Sequence, residues 1–208
     1  MRFDLHIHSK YSPDSFLKPE RIINMAKKKE LNGVAITDHN TIKGGIEALK
    51  INKDPNFQII VGSEIRTEYG DVIGLFLNEE IKDHDFNNVI DEIRSQGGIS
   101  VLAHPYRQYN TPEEIINKVD LVEAFNARSK PFHNLKALKL AETFKKSMTA
   151  GSDTHVYFEV GGGTVSVDGD IENALKSDAN YIDGDESNYY MVHGLSVLME
   201  KIKSIDLI

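Results

Sequence analysis

Short apolar runs that end in metal-binding side chains recur along this chain, and they leave few folds open to it. The clusters are Asp4-Leu5-His6-Ile7-His8, Thr37-Asp38-His39, Gly62-Ser63-Glu64, Ala103-His104-Pro105 and Gly151-Ser152-Asp153-Thr154-His155. Each stands where the apolar pattern predicts the end of a strand. Side chains alternate across a strand with period two, so His6 and His8 face the same way and can grip one ion. A lone His-x-His is as easily a packed or surface pair. Five of the eight histidines fall inside these clusters, however, and a bland reading needs a coincidence for each.

Between the clusters the period switches from strand to helix. Residues 3–8 read as a first strand, and Pro19 opens a helix through Ile22, Ile23, Met25 and Ala26 that Asn32-Gly33 ends. Residues 33–37 form a second strand, 41–50 a helix and 58–62 a third strand, which 67–77 extend as a hairpin turning at Tyr69-Gly70-Asp71. Residues 85–96 carry Phe86, Val89, Ile90 and Ile93 at helical spacing and stop at Gly97-Gly98. Strands follow at 99–103 and 121–125, then a helix from about 134 to 144, an extended run at 147–150, a strand at 165–167, a short helix near 171–175 and a C-terminal helix from about 194 to 203. Alternation of this kind predicts an α/β fold with six or seven parallel strands, closed into a small barrel whose site lies at the carboxyl ends.

At 208 residues the chain can bury a sizeable core as one domain. It has no cysteine, which excludes disulfides, zinc fingers and thiol catalysis and leaves nitrogen and oxygen as metal ligands. Met1-Arg2-Phe3-Asp4 opens directly into a charged strand, and no apolar run approaches the ~20 residues of a membrane span, so a soluble, cytoplasmic protein is expected. The net charge of −8 argues against broad attraction to nucleic acid or membranes. Asp14, Glu64 and Asp153 around two divalent ions would still sum to about +1, so an acidic chain can own an anion pocket.

In order, spacing and residue type, His6-Ile7-His8-Ser9-Lys10-Tyr11-Ser12-Pro13-Asp14, Ile36-Thr37-Asp38-His39-Asn40-Thr41 and the three later clusters closely resemble the motifs of the polymerase and histidinol phosphatase (PHP) superfamily. The resemblance spans roughly residues 1–180 of a chain expected to be one PHP domain, 1–208. It implies a distorted (β/α)7 TIM-like barrel, two or three metal ions and, most often, phosphoester hydrolysis. By it, His6, His8, Glu64 and Asp153 hold one ion, Glu64 bridges to a second also held by His104, and Asp14, His39 and His155 hold a third. Imidazole mixed with carboxylate suits manganese, zinc or iron better than magnesium. Asn126 stands where some members supply a further histidine to the second ion.

Metal-activated water then needs no separate nucleophile. Arg107 and Arg128 lie beyond strand ends and are candidates to fork onto a phosphate, with solvated loop arginines as the alternative; Lys43 and Lys130 rank behind them. Asp38 and Asn126 are expected to orient ligands rather than bind metal. His84, His133 and His193 read as surface or capping residues. Gly161-Gly162-Gly163-Thr164 lacks the lysine of a phosphate loop and reads as a tight turn. The leading expectation is a metal-dependent phosphoesterase acting on a nucleotide, a short oligonucleotide or a small phosphorylated metabolite. Histidinol-phosphate phosphatase ranks lower, because those enzymes are usually longer and carry the histidine that Asn126 replaces. A non-catalytic metal-binding PHP module is the alternative from another class, although inactive copies generally lose ligands and all eight are present here. Hydrolysis of a carbon–nitrogen or ester bond is a third reading.

Overall fold

Valine, isoleucine and phenylalanine dominate the short runs, and these side chains pack well on a pleated surface. A computed structural model describes residues 1–107, 113–177 and 179–205 and shows the runs as strands. They are β1 (Arg2–Ile7), β2 (Gly33–Ile36), β3 (Gln58–Thr67), β4 (Gly70–Leu75), β5 (Ile99–Leu102), β6 (Leu121–Asn126), β7 (Ser147–Gly151), β8 (Gly163–Val167) and β9 (Asn180–Gly184). The helices are α1 (Pro19–Lys28), α2 (Lys43–Ile51), α3 (Phe86–Ser95), α4 (Glu113–Ile116), α5 (Pro131–Phe144), α6 (Ile171–Lys176) and α7 (Tyr189–Ile205). None of these helices is long and apolar enough to cross a membrane.

The sheet runs in the order β7-β6-β5-β4-β3-β2-β1-β8-β9. Strands β1, β2, β3, β5, β6 and β7 are parallel, while β4 runs against β3 and β5 as the far arm of the expected hairpin. At the carboxyl end the sheet comes round on itself: Ile7 bridges to Thr154, and His8 N donates to Thr154 O at 2.9 Å. The result is the expected distorted, nearly closed TIM-like barrel.

The core separates into the barrel interior and the helical layer outside it. Phe3, Leu5, Ala35, Ile60, Ile73 and Val101 form one cluster, whereas Ile22, Ile23 and Ala26 of α1 pack on Ile7, Val34 and Ile36. Phe3 and Ile7 share a parity yet join different clusters, because the β1–β2 register shifts between Asp4 and Ile7. That irregularity re-aims the strand as it enters the first histidine cluster, as bulges beside functional sites often do. A second shift in β6, between Glu123 and Phe125, does the same on the opposite wall.

Two helices begin earlier than expected. Proline at the start of α5 presets helical φ, so that helix opens at Pro131 rather than near 134. Helix α7 starts at Tyr189 and continues through Gly194, a residue that ordinarily weakens a helix interior, because its first turns are pinned to the barrel.

Candidate metal centre

The barrel places each candidate ligand at the carboxyl end of a strand. His6 lies on β1 and His8 just past it, with Asp14 in the following loop. His39 follows β2, Glu64 sits within β3, His104 follows β5, and Asp153 and His155 follow β7. A bridge between His39 and Glu64 carries the parallel pairing of β2 and β3 into the site itself. Close backbone approach matters at Gly151, where a Cβ would meet His6 Cβ at 2.2 Å. His104 (φ 27°) and Asp153 (φ 54°) hold left-handed backbone, which costs about 1–3 kcal/mol for a residue other than glycine. Glu123 Oε2 helps to impose this on His104 by accepting from its amide at 2.7 Å.

All eight side chains converge. Glu64 Oε2 is 3.4 Å from His6 Nε2, 3.2 Å from His8 Nε2 and 3.2 Å from His39 Nδ1, while Glu64 Oε1 is 2.8 Å from His104 Nε2. Asp153 Oδ1 lies 3.2 Å from His8 Nε2 and 3.7 Å from His6 Nε2. Asp14 Oδ2 lies 2.7 Å from His155 Nε2 and 3.4 Å from His39 Nε2. The ligand atoms form overlapping groups: His8, Asp14, His39 and His155; His6, His8 and Glu64; and His6, His104 and Asp153. A fourth group pairs Glu64 and His104 with Asp71, a residue for which the sequence offered only a turn.

Supporting side chains fix which ring nitrogens face inward. His6 Nδ1 lies 2.9 Å from Glu123 Oε1, and His8 Nδ1 lies 3.0 Å from Ser12 Oγ. Ser12 donates in turn to Asp38 Oδ1 at 3.1 Å, and Asp38 also accepts from the amide and hydroxyl of Ser9. With Nδ1 of each ring donating to these oxygens, His6 and His8 turn their Nε2 atoms toward each other at 3.1 Å. Two ring nitrogens this close need a cation between them, a proton or a metal ion. Glu64 Oε2 and Asp14 Oδ1 are likewise buried without a hydrogen-bond donor. The donor set therefore fits divalent ions, and buried polar atoms left unpaired otherwise are the observation that says so.

The electrostatics agree. Burial alone would push His8 down, but the adjacent carboxylates of Asp153 and Glu64 raise it to about 10. His6 is raised well above its usual value despite burial, by Glu123, Asp153 and Glu64. Against the same burial, His39 and His6 hold Glu64 far below the carboxylate range, and Arg107 and His6 do so for Asp153. Without metal, protons occupy the imidazoles where cations would sit. His155 differs: burial and the neighbouring His8 push it down to about 4.

The expected arginines part company. Arg107 Nη1 bonds Asp153 Oδ2 and lies 3.3 Å from Asn126 Oδ1, with its guanidinium on the cavity above the ligands. Arg128 also borders the cavity, yet it is not the open fork the sequence suggested. It is buried; Nη2 donates to Val192 O and to Ser196 Oγ (2.7 Å), Nη1 lies 2.6 Å from His155 Nδ1, and Nε lies 3.2 Å from Glu159 Oε1. Asn126 spends its amide on Glu123 Oε2 (3.1 Å) and, more distantly, Asp153, tying three site residues together with Arg107. Lys130 lies over the Tyr189 ring, and Lys43 stays on the outer surface of α2.

The cavity holds about 350 Å³ and is lined by Asp14, His39, Asp71, Arg107, Asp153 and His155 together with residues of α7. A larger one, about 460 Å³, lies among Arg94, Asp120 and Lys146 at the amino ends of the strands, far from every candidate ligand. Glu123 and Asp71 were missed by sequence reasoning although each leaves a signal, a lone acid inside a largely apolar strand. His193, which also lines the cavity, leaves no local signal, since only the path of α7 brings it there.

Residues 4–175 match a family described as the PHP domain. An uncharacterized protein of Methanocaldococcus jannaschii is 45% identical over 141 residues, which cover 61% of this chain and 82% of that protein. The 5'-3' exoribonuclease of Haemophilus influenzae is 37% identical over 68 residues, 33% of this chain and 24% of that enzyme. Among solved structures, a two-domain protein of Bacteroides vulgatus containing a predicted PHP-like metal-dependent phosphoesterase superposes with a TM-score of 0.76 at 18% identity. The superposition covers 89% of this chain and 65% of that one, a likeness of fold.

Proposed function

The chain belongs to the PHP domain family, and from that membership and the geometry of the site we propose that it is a metal-dependent phosphoesterase. In this reading His6, His8, Glu64 and Asp153 hold one divalent ion, Glu64 and His104 a second, and Asp14, His39 and His155 a third. Asp71 stands next to the second position, where it offers a carboxylate in a chain that has Asn126 instead of a further histidine. Manganese, zinc or iron suits this mixture of imidazole and carboxylate. Bound there, the ions supply Lewis acidity, lowering the pKa of water and neutralising phosphoryl charge.

The protein's own groups do the rest. Glu123 keeps the His6 ring turned with Nε2 inward, and Asp38 does the same for His8 through Ser12. Arg107 holds a positive charge at the cavity wall, where a phosphate oxygen can take its remaining donors. Burial opposes that charge and Asp153 sustains it.

The facing Nε2 atoms of His6 and His8 beside a buried, unpaired Glu64 oxygen carry the proposal. That four of the eight proposed ligands, Asp14, His39, Asp153 and His155, line a cavity favours catalysis over a non-catalytic module. The likeness of a third of the chain to an exoribonuclease favours a nucleotide or short oligonucleotide over histidinol phosphate. The test is hydrolysis with manganese added, read as phosphate release from nucleotides, bisphosphorylated nucleotides and histidinol phosphate and as nucleotide release from short RNA. Release that chelation abolishes is expected; metal-free protein equally active after chelation would sink the reading.

A further inference from the structure

We propose that α7 forms the outer wall of the substrate cavity and contributes His193 as a substrate-binding side chain, its imidazole bonding an oxygen of the phosphate ester. The inference rests on the phosphoesterase reading and extends it to a helix outside the family match, which ends at residue 175.

Helix α7 is laid across the mouth of the barrel and pinned at both ends. Near its start, Ser187 N donates to Ala127 O at 2.7 Å, Arg128 bonds Val192 O and Ser196 Oγ, and Lys130 Nζ lies 4.7 Å over the Tyr189 ring. At its far end Lys203 Nζ donates to Lys10 O and Ser12 O, at 2.7 and 2.5 Å. The helix thus spans from the loop after β6 to the loop after β1. His193, Ser196, Val197 and Glu200 recur at i, i+3, i+4 and i+7, the spacing of one helical face, and all four line the cavity that holds Asp14, His39, Arg107, Asp153 and His155.

Of that row, His193 has the means to bind and no other employment. Its ring stacks on Tyr189, with centroids 4.8 Å apart and planes at 19°, so its orientation is set. Among the described residues it makes no hydrogen bond, and its Nδ1 is buried without a partner. A ring packed for structure alone ordinarily satisfies a buried nitrogen, whereas one awaiting ligand leaves it open. Arg107 from the β5 side, Arg128 and Lys130 from the β6 side, and Asp153 from the β7 side face it. Burial and the three cations hold its pKa below the usual value, Asp153 opposing them, so at neutral pH the ring is uncharged. It then offers one N–H and one lone pair to an oxyanion already surrounded by positive charge.

The experiment compares manganese-loaded wild type, His193→Ala and His193→Gln with an aryl phosphate and with inorganic phosphate as a binding probe. His193→Ala should lower kcat/KM about tenfold to a hundredfold, chiefly through KM, and weaken phosphate binding about tenfold, with metal content unchanged. His193→Gln, which keeps a donor, should recover part of the loss, and free imidazole should restore activity to His193→Ala. Unchanged kcat/KM and phosphate affinity in His193→Ala would overturn the proposal. So would a loss that neither glutamine nor imidazole relieves, since that marks a structural role. If wild type hydrolyses no phosphate ester, the phosphoesterase reading fails by itself; phosphate titration of wild type and His193→Ala then still decides whether His193 binds.

Discussion

The two walls of the cavity are built differently. The inner wall is strand ends, where backbone pairing fixes position and several of the proposed ligands are held again by a buried partner: His6 by Glu123, His8 by Ser12, the His104 amide by Glu123. The outer wall is one helix, attached through a few side chains, chiefly Arg128 and Lys203. Its outward side leaves Tyr190, Met191, Leu198, Ile202 and Ile205 exposed. The contrast teaches where rigidity is required. Charge-bearing side chains that repel each other need a sheet to hold them, whereas a wall proposed only to meet substrate can rest on a handful of bonds.

The strongest way to break the inner wall is to remove an anionic ligand. Glu64→Gln and Asp153→Asn should lower kcat by roughly a thousandfold, about 4 kcal/mol in the barrier, with the barrel still folded by circular dichroism. Glu64, placed between two positions, should hurt more. Wild-type turnover of Glu64→Gln at saturating manganese would remove it from the centre.

Stripping the metal is the next largest perturbation. Saturating manganese at about 100 times Kd should raise stability by ~2.7 kcal/mol over chelated protein. The pH dependence sharpens this. His8 is raised from 6.5 to about 10, so without metal it contributes stability that is complete below pH 6.5 and lost as pH climbs through about 10. Chelated protein should therefore melt progressively lower between pH 7 and 10, and manganese should oppose the fall; parallel melting curves with and without metal would count against the site.

Changing a partner rather than a ligand should have a smaller effect. Glu123→Gln should weaken metal binding about tenfold to a hundredfold, read by competition with a chelating dye. The two arginines should then separate the walls. Arg107→Ala is expected to cost about tenfold in kcat/KM with α7 undisturbed. Arg128→Ala should instead lower amide protection across 189–205 and reduce Tm by several degrees, because it unpins the helix. Identical behaviour of the two variants would erase the distinction. Smallest of all, Tyr190→Ala on the exposed side of α7 should stay within about 0.5 kcal/mol of wild type in stability.

Much of the inner wall was legible in the sequence because a strand reports itself locally. Five apolar runs end in histidine or acid, and period two alone aims His6 and His8 the same way. The shifts in β1 and β6 were not legible, since register depends on the partner strand, and with them went the aim of Glu123 into the site. Arg128 misled for a related reason: position after a strand end says that a side chain starts at the mouth, not that a later helix will bury it.

The sequence by itself determined the strand count near the site, the donor types and the acidic yet metal-ready chemistry, because these depend on residue identity and short-range period. Only the tertiary structure decided which carboxylate supports which ring, that Asp71 approaches His104, and that His193 looks into the cavity from α7. Those relations join residues tens to more than a hundred positions apart, and they exist only once closure of the barrel has brought the strand ends together.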